Sequence, residues 1–299
     1  MLLGPSDLPY HSLACTSNQP LSSNRASTPP EKLTTSTMSR HVLIVGGHGR
    51  IAQILTQKLL KKSWTVTSLI RSQDQVSQIN SLAAANQGNL NVLVRNLEHV
   101  DDTSQARSIL DEVKSDTVVW CAGAGGQARP DQTFAIDQDA AINFIKAAVQ
   151  TPTVKKLLLI SYINCRQKRP SWWDQDAWIY AQEMQRSGLL SYCQAKLAAD
   201  EILLQEASSR ADFSGISLRL GILSDEPAGP IELGKTKTSR GNVSRESVAE
   251  VIVLLLEHET VQTAWLDMLD GAEDIGTAVE RVVSNREDAA VEKGNRTQA

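Results

Sequence analysis

Tyr192 and Lys196 lie four residues apart in a stretch whose apolar spacing predicts a helix, so phenol and ammonium share one face. A phenol of pKa about 10 is a poor proton carrier near neutrality. An adjacent ammonium stabilises the phenolate and would move that pKa toward the working pH. Ser161 ends an apolar run earlier in the chain and could steady a substrate oxygen. Together the three supply what proton transfer to or from a carbonyl oxygen requires. A Tyr-x-x-x-Lys match alone is a weak signal, and an ordinary helix residue lining a pocket is the plain alternative for Tyr192.

A second constellation says what would work beside them. Gly46-Gly47-His48-Gly49-Arg50-Ile51-Ala52 falls between the apolar run His41 to Val45 and a segment with Ile51, Leu55 and Leu59 at helical spacing. A helix starting there aims unpaired N–H groups and the positive end of its dipole outward, which suits a pyrophosphate. Gly46 permits the tight turn, Gly49 a close approach to phosphate, and Ala52 tight packing of helix on strand. The spacing is GxxGxxA rather than GxGxxG. Arg71 closes the second strand where a carboxylate would hold the ribose of NAD, and no Asp or Glu occurs between Val66 and Ser72. A guanidinium there suits a 2′-phosphate, so the expected cofactor is NADP(H). Arg50 could add a second positive contact; for either arginine the plain alternative is a solvated surface charge. Gly47, His48, Ile51, Asn96, Leu97, Ala122, Gly123, Lys196 and Gly221 complete the expected cofactor contacts.

These groups need elements to position them. The periodicity predicts strands at 41–45, 65–70, 91–95, 117–121, 157–160 and 215–220, with helices between them. Further helices are expected at 191–206, 248–256 with Ser244 as its N-cap, and 275–283, and a last edge strand at 265–269. Such alternation implies an α/β fold: a doubly wound Rossmann parallel sheet in a single domain, with ligands at the strands' carboxyl ends. A small substrate-side elaboration is expected at 170–190 and 221–245. The aromatic stretch Trp172 to Tyr180 within it reads as a lid or pocket wall, or as plain packing.

Residues 1–38 are rich in Ser, Thr, Pro and Asn and are expected to be a disordered arm, with Met38 as an alternative start. The domain then spans 39–284, and 285–299 is expected to be a flexible tail. The formal charge of −4 offers no basic field for nucleic acid or anionic membrane, so small molecules are the expected partners; protein partners are left unspecified. No apolar run approaches the ~20 residues of a bilayer span, and the chain is expected to be cytoplasmic. Cys15, Cys121, Cys165 and Cys193 show no paired spacing and read as free thiols. The five histidines make no metal spacing, so no metal is expected.

The chain resembles the atypical branch of the short-chain dehydrogenase/reductase superfamily, the NAD(P)H-binding members related to epimerases and dehydratases. The resemblance spans about residues 41 to 284. It is carried by Val45 to Ala52, Cys121-Ala122-Gly123, Ile136-Asp137 with Asp139-Ala140-Ala141, Ser161, Tyr192 to Lys196, Leu218 to Gly221 and Val243 to Ala249. It implies that Gly46, Gly49 and Arg50 bind pyrophosphate and Arg71 the 2′-phosphate, that Ala122 and Gly123 border the cofactor, and that Ser161, Tyr192 and Lys196 react. Two positions depart from the superfamily pattern. Asp137 stands where most members have a catalytic Asn, and an Asp has no amide to donate. Arg219-Leu220-Gly221 replaces Arg-Pro-Gly and loses the rigid proline. The expected function is hydride transfer on a small carbonyl or hydroxyl substrate with Tyr192 as acid/base; the alternative is an NADP(H)-binding sensor without turnover.

Overall fold

The strand His41–Val45 (β1) is buried almost throughout, as a central parallel strand covered on both faces must be. The computed structural model describes residues 40–290 apart from 85, 126 and 127. The expected arm 1–38, the start at Met38, Cys15 and residues 291–299 lie outside the described residues. After β1 the chain runs through α1 (Arg50–Lys61), β2 (Thr65–Ile70), α2 (Val76–Ser81), β3 (Asn89–Val94), α3 (Thr103–Val113) and β4 (Thr117–Trp120). It continues through α4 (Pro130–Thr133), a π-helical segment (Phe134–Ala140), α5 (Ala141–Gln150), β5 (Lys156–Tyr162), α6 (Gln175–Arg186) and α7 (Leu190–Ala207). The last elements are β6 (Ser214–Leu220), β7 (Ile222–Ser224), β8 (Ile231–Gly234), β9 (Asn242–Ser244), α8 (Arg245–Glu257), β10 (Ala264–Asp270) and α9 (Ile275–Ser284).

The main sheet has the order β3-β2-β1-β4-β5-β6-β10-β8, and β7 pairs with β9 in a small second sheet. Side chains alternate across the sheet, so Val42 and Ile44 pack with α1, α8 and α9, while Leu43 and Val45 pack with α3, α5 and α7. The order reverses between β1 and β4, and the crevice beyond their carboxyl ends is where such sheets take ligands. This is the doubly wound α/β domain expected from the alternation. Ser244 does cap α8, accepting from the Ser247 N–H at 2.9 Å.

Four expectations need correction. The sheet is not wholly parallel: β8 runs antiparallel to β10 and takes the edge that β10 was expected to occupy. No helix was expected at 175–186, yet Asp174 caps the helix α6 there, and Trp173 is buried with its indole N–H on the Thr236 carbonyl. Residues 285–290 are not loose, since the Ala289 N–H bonds to the Trp265 carbonyl and Arg166 donates to the Ala289 carbonyl. Cys165 and Cys193 are not free thiols; they form a disulfide with Cα atoms 4.7 Å apart. Their separation of 28 residues carries no local signature, so only folding brings them together. Cys121 is free.

Candidate nucleotide and catalytic site

The turn after β1 is built from backbone. Gly46 has φ +83°, and a Cβ there would stand 2.6 Å from the Ala122 backbone, so the turn presses against the exit of β4. A Cβ on Gly47 would collide with the Ser68 hydroxyl of β2. Both Gly46 and Gly47 donate to the Leu69 carbonyl, at 3.0 and 2.8 Å. Gly49 then precedes α1 with no side-chain cap and no acidic residue in the first turn. The first N–H groups of α1 are left for an anion.

A cavity of about 250 Å³ opens at this turn, lined by Gly46, His48 and Gly49 on one side and by Ala122, Gly123 and Ile136 on another. Arg71, Asn96 and Leu97 line the same cavity. Gln75, which also lines the cavity, has a buried amide oxygen without a hydrogen-bond partner. The bare helix start and the exposed guanidinium of Arg71 fit a nucleotide carrying negative charge at both ends, while the Gln75 oxygen can only accept from a donor group. Gln75, Arg95 and Cys121 also line the cavity and were missed. For Arg95 a signal existed: it follows β3 as Arg71 follows β2, at the same edge of a parallel sheet. It is paired with Glu112 at 2.9 Å.

Several expected contacts lie outside that lining. Arg50 forms a surface ion pair with Asp225, which also binds Arg245 at 2.7 Å. Ile51 sends its side chain into the core, leaving only its backbone for a ligand. Gly221 is small because Leu269 and the Gly241 carbonyl press against it.

The reactive side adjoins the cavity through a shared wall. Asp137, on the π-helical segment, accepts from the Ala124 N–H at 2.9 Å, and a Cβ on Gly123 would stand 2.8 Å from its carboxylate. Lys196 Nζ lies 2.9 Å from the same carboxylate and donates to the Ile160 carbonyl at 3.1 Å. Burial works to lower the Lys196 pKa, but Asp137 and Tyr192 outweigh it and hold the ammonium above its ordinary value. The Lys196 Nζ is 5.7 Å from the Tyr192 ring centre.

Two features differ from the expected trio. Burial raises the Tyr192 phenol above its ordinary value; Lys196 opposes this, while Asp137 and Asp200 add to it. Burial, with Asp137 and Asp200, outweighs the lowering by Lys196, so the phenol is not brought toward neutrality. Ser161 is 3% exposed and its hydroxyl donates to Asp200 at 2.7 Å, not toward Tyr192. Asp200 also accepts from Ser217 at 2.6 Å and pairs with Arg219, while Asp267 pairs with Arg166 at 2.7 Å. Ser161 therefore belongs to a buried charge network beneath the site. Its hydroxyl is turned to Asp200 in this structure, where the sequence predicts a group that steadies a substrate oxygen.

The sequence profile described as NAD(P)H-binding matches residues 46–259. UPF0659 protein C216.03 of Schizosaccharomyces pombe is 28% identical over 79% of this chain and 92% of its own. An uncharacterized sugar epimerase, YhfK of Bacillus subtilis, is 24% identical over 81% of this chain and 99% of its own. A Bacillus halodurans structure assigned as an NAD-dependent epimerase/dehydratase superposes with a TM-score of 0.63 at 24% identity, covering 81% of this chain and 99% of that one. Among the described residues no helix is long and apolar enough to cross a membrane, and no cluster of metal-ligating side chains occurs.

Proposed function

This chain belongs to the NAD(P)H-binding family, and on that premise we propose that it is an NADP(H)-dependent oxidoreductase or epimerase-like enzyme of the cytoplasm. Its substrate is a small carbonyl or hydroxyl compound. The observation that carries the reading is the wall shared by the nucleotide cavity and the Asp137–Lys196–Tyr192 group, formed by Gly123 and Ala124. Gly46, Gly49 and the start of α1 hold the pyrophosphate, Arg71 the 2′-phosphate, and Ala122 with Gly123 the part leading to the nicotinamide. The nicotinamide supplies or accepts the hydride.

The chain's own residues handle the proton. With its pKa raised by burial, Tyr192 holds its proton at neutral pH and is poised to donate it from Oη to a substrate oxygen. Lys196, kept charged by Asp137, orients the phenol and favours the electron-rich oxygen left behind. Asp137 acts by positioning Lys196. Tyr162, whose ring centre is 6.3 Å from that of Tyr192, forms the adjacent aromatic wall.

A second reading, an NADP(H)-binding sensor that does not turn over, is favoured by the commitment of Ser161 to Asp200. Calorimetric titration with NADPH and NADH, followed by a carbonyl panel monitored at the nicotinamide absorbance, separates them. Binding with turnover supports the enzyme; binding without turnover supports the sensor. Failure of both nucleotides to bind overturns both readings.

A further inference from the structure

The first turn of α7 carries Tyr192 yet has little of its own to hold it. Its N-cap position is Leu189, which offers no side-chain cap, and the preceding Gly188 sits at φ +98°. Leu190 on the same turn is 55% exposed. An uncapped first turn is the part of a helix most prone to open. Besides the packing of Leu189 and Tyr192 against Leu197 and Trp265, what ties it down is the disulfide from Cys193, the residue after Tyr192, to Cys165 in the connection following β5. Cys165 is itself anchored, because its carbonyl accepts from the fully buried Arg219 at 2.7 Å. The bond thus fastens the tyrosine's turn to the charge network under the sheet.

The same bond borders an open cavity. A cavity of about 430 Å³ between α6 and α7 is lined by Cys165, Cys193, Gln182, Gln194, Leu197 and Glu201. Both cysteines are buried, Cys165 wholly and Cys193 at 4% exposed, so Cys193 is the less enclosed of the two. The cavity's amide-rich wall offers hydrogen bonds to a peptide-like thiol. In reducing compartments disulfides of this kind are chiefly transient and redox-sensing.

We propose that Cys165 and Cys193 form a reversible dithiol–disulfide site, addressed through this cavity by small thiols of the glutathione class, whose state sets the position of Tyr192. A thiolate attacks Cys193 Sγ; the S–S bond breaks, and Cys165 leaves as a thiolate that takes a proton from water. A second thiol attacks the mixed disulfide and releases Cys193 as a thiol. The protein disulfide gains two electrons, and two small thiols leave as one small disulfide. The reverse exchange with that small disulfide restores the bond. The consequence for turnover rests on the reading of Tyr192 given above; the redox site and its effect on the turn do not.

The test uses the full chain equilibrated in glutathione buffers from reducing to oxidising, alkylated with N-ethylmaleimide and mapped by peptide mass spectrometry. Cys165 and Cys193 should become labelled together as the buffer turns reducing, while Cys121 is unaffected by the ratio. Amide exchange over residues 188–194 should quicken at least ~10-fold on reduction, with residues 46–52 unchanged. Cys193→Ser should exchange like the reduced protein in every buffer; should it fail to fold, the wild-type comparison decides alone. Labelling of Cys165 and Cys193 at every ratio, or equal exchange over 188–194 in both states, overturns the proposal. No arm measures turnover, so loss of the catalytic reading and loss of this one give different results.

Discussion

Lys196 Nζ stands 2.9 Å from Asp137 Oδ1, with side-chain exposures of 3% and 0%. A buried ammonium needs such a partner, and a buried carboxylate beside Gly123 needs such a cation. The pair also governs Tyr192, because Asp137 raises the phenol's pKa and so offsets part of the lowering by Lys196. Replacing Asp137 with Asn should therefore expose the lysine's charge to the phenol and lower the Tyr192 pKa. It should also destabilise the fold by about 3–5 kcal/mol, since one ion of a buried pair is left alone. Denaturant unfolding and an ultraviolet titration of tyrosine check both; an unchanged midpoint together with an unchanged titration would refute the coupling.

Tyr192→Phe should reduce turnover by about 10²–10⁴-fold while leaving NADPH affinity nearly intact. In the reductive direction the required form is the protonated phenol. Because its pKa is raised above the ordinary 10, the rate should stay level through neutral pH and fall only above the ordinary tyrosine range. A fall centred near pH 7 that disappears in the Phe variant would contradict the raised phenol.

Arg71 is exposed and lines the nucleotide cavity. Charge-assisted bonds to phosphate contribute about 1.5–3 kcal/mol, so Arg71→Glu should weaken NADPH by roughly 10–100-fold. NADH should change far less. Equal losses for the two nucleotides in calorimetry would remove the 2′-phosphate assignment.

Gly46→Val places a β-branched side chain at φ +83° and against the Ala122 backbone. A strained residue of this kind costs of order 1–3 kcal/mol, and here the clash adds to it. Thermal melting should show the loss, and NADPH binding should fall with it because the turn must open. Wild-type melting and binding would mean that the turn is not set by this contact.

Much of this protein was legible in its sequence. The buried run of β1, the glycines after it and the amphipathic α1 are read from neighbours a few residues apart, where local sterics and a period of 3.6 or 2 decide conformation. The order of strands and helices from β1 to β5 follows from the same signals, as do the Ser244 cap and the placement of Arg71 at a strand's carboxyl end, whereas α6 and the short strands β7 to β9 carried no such signal. What each polar side chain does was decided elsewhere. Arg50 found Asp225, Ser161 found Asp200, Lys196 found Asp137, and Cys165 found Cys193. All of these partners are 28 or more residues away in sequence, where spacing carries no information. A charge or thiol takes whichever complementary group the packed elements bring within reach. Burial then fixes that choice, because an unpaired polar group inside the fold is too costly to leave.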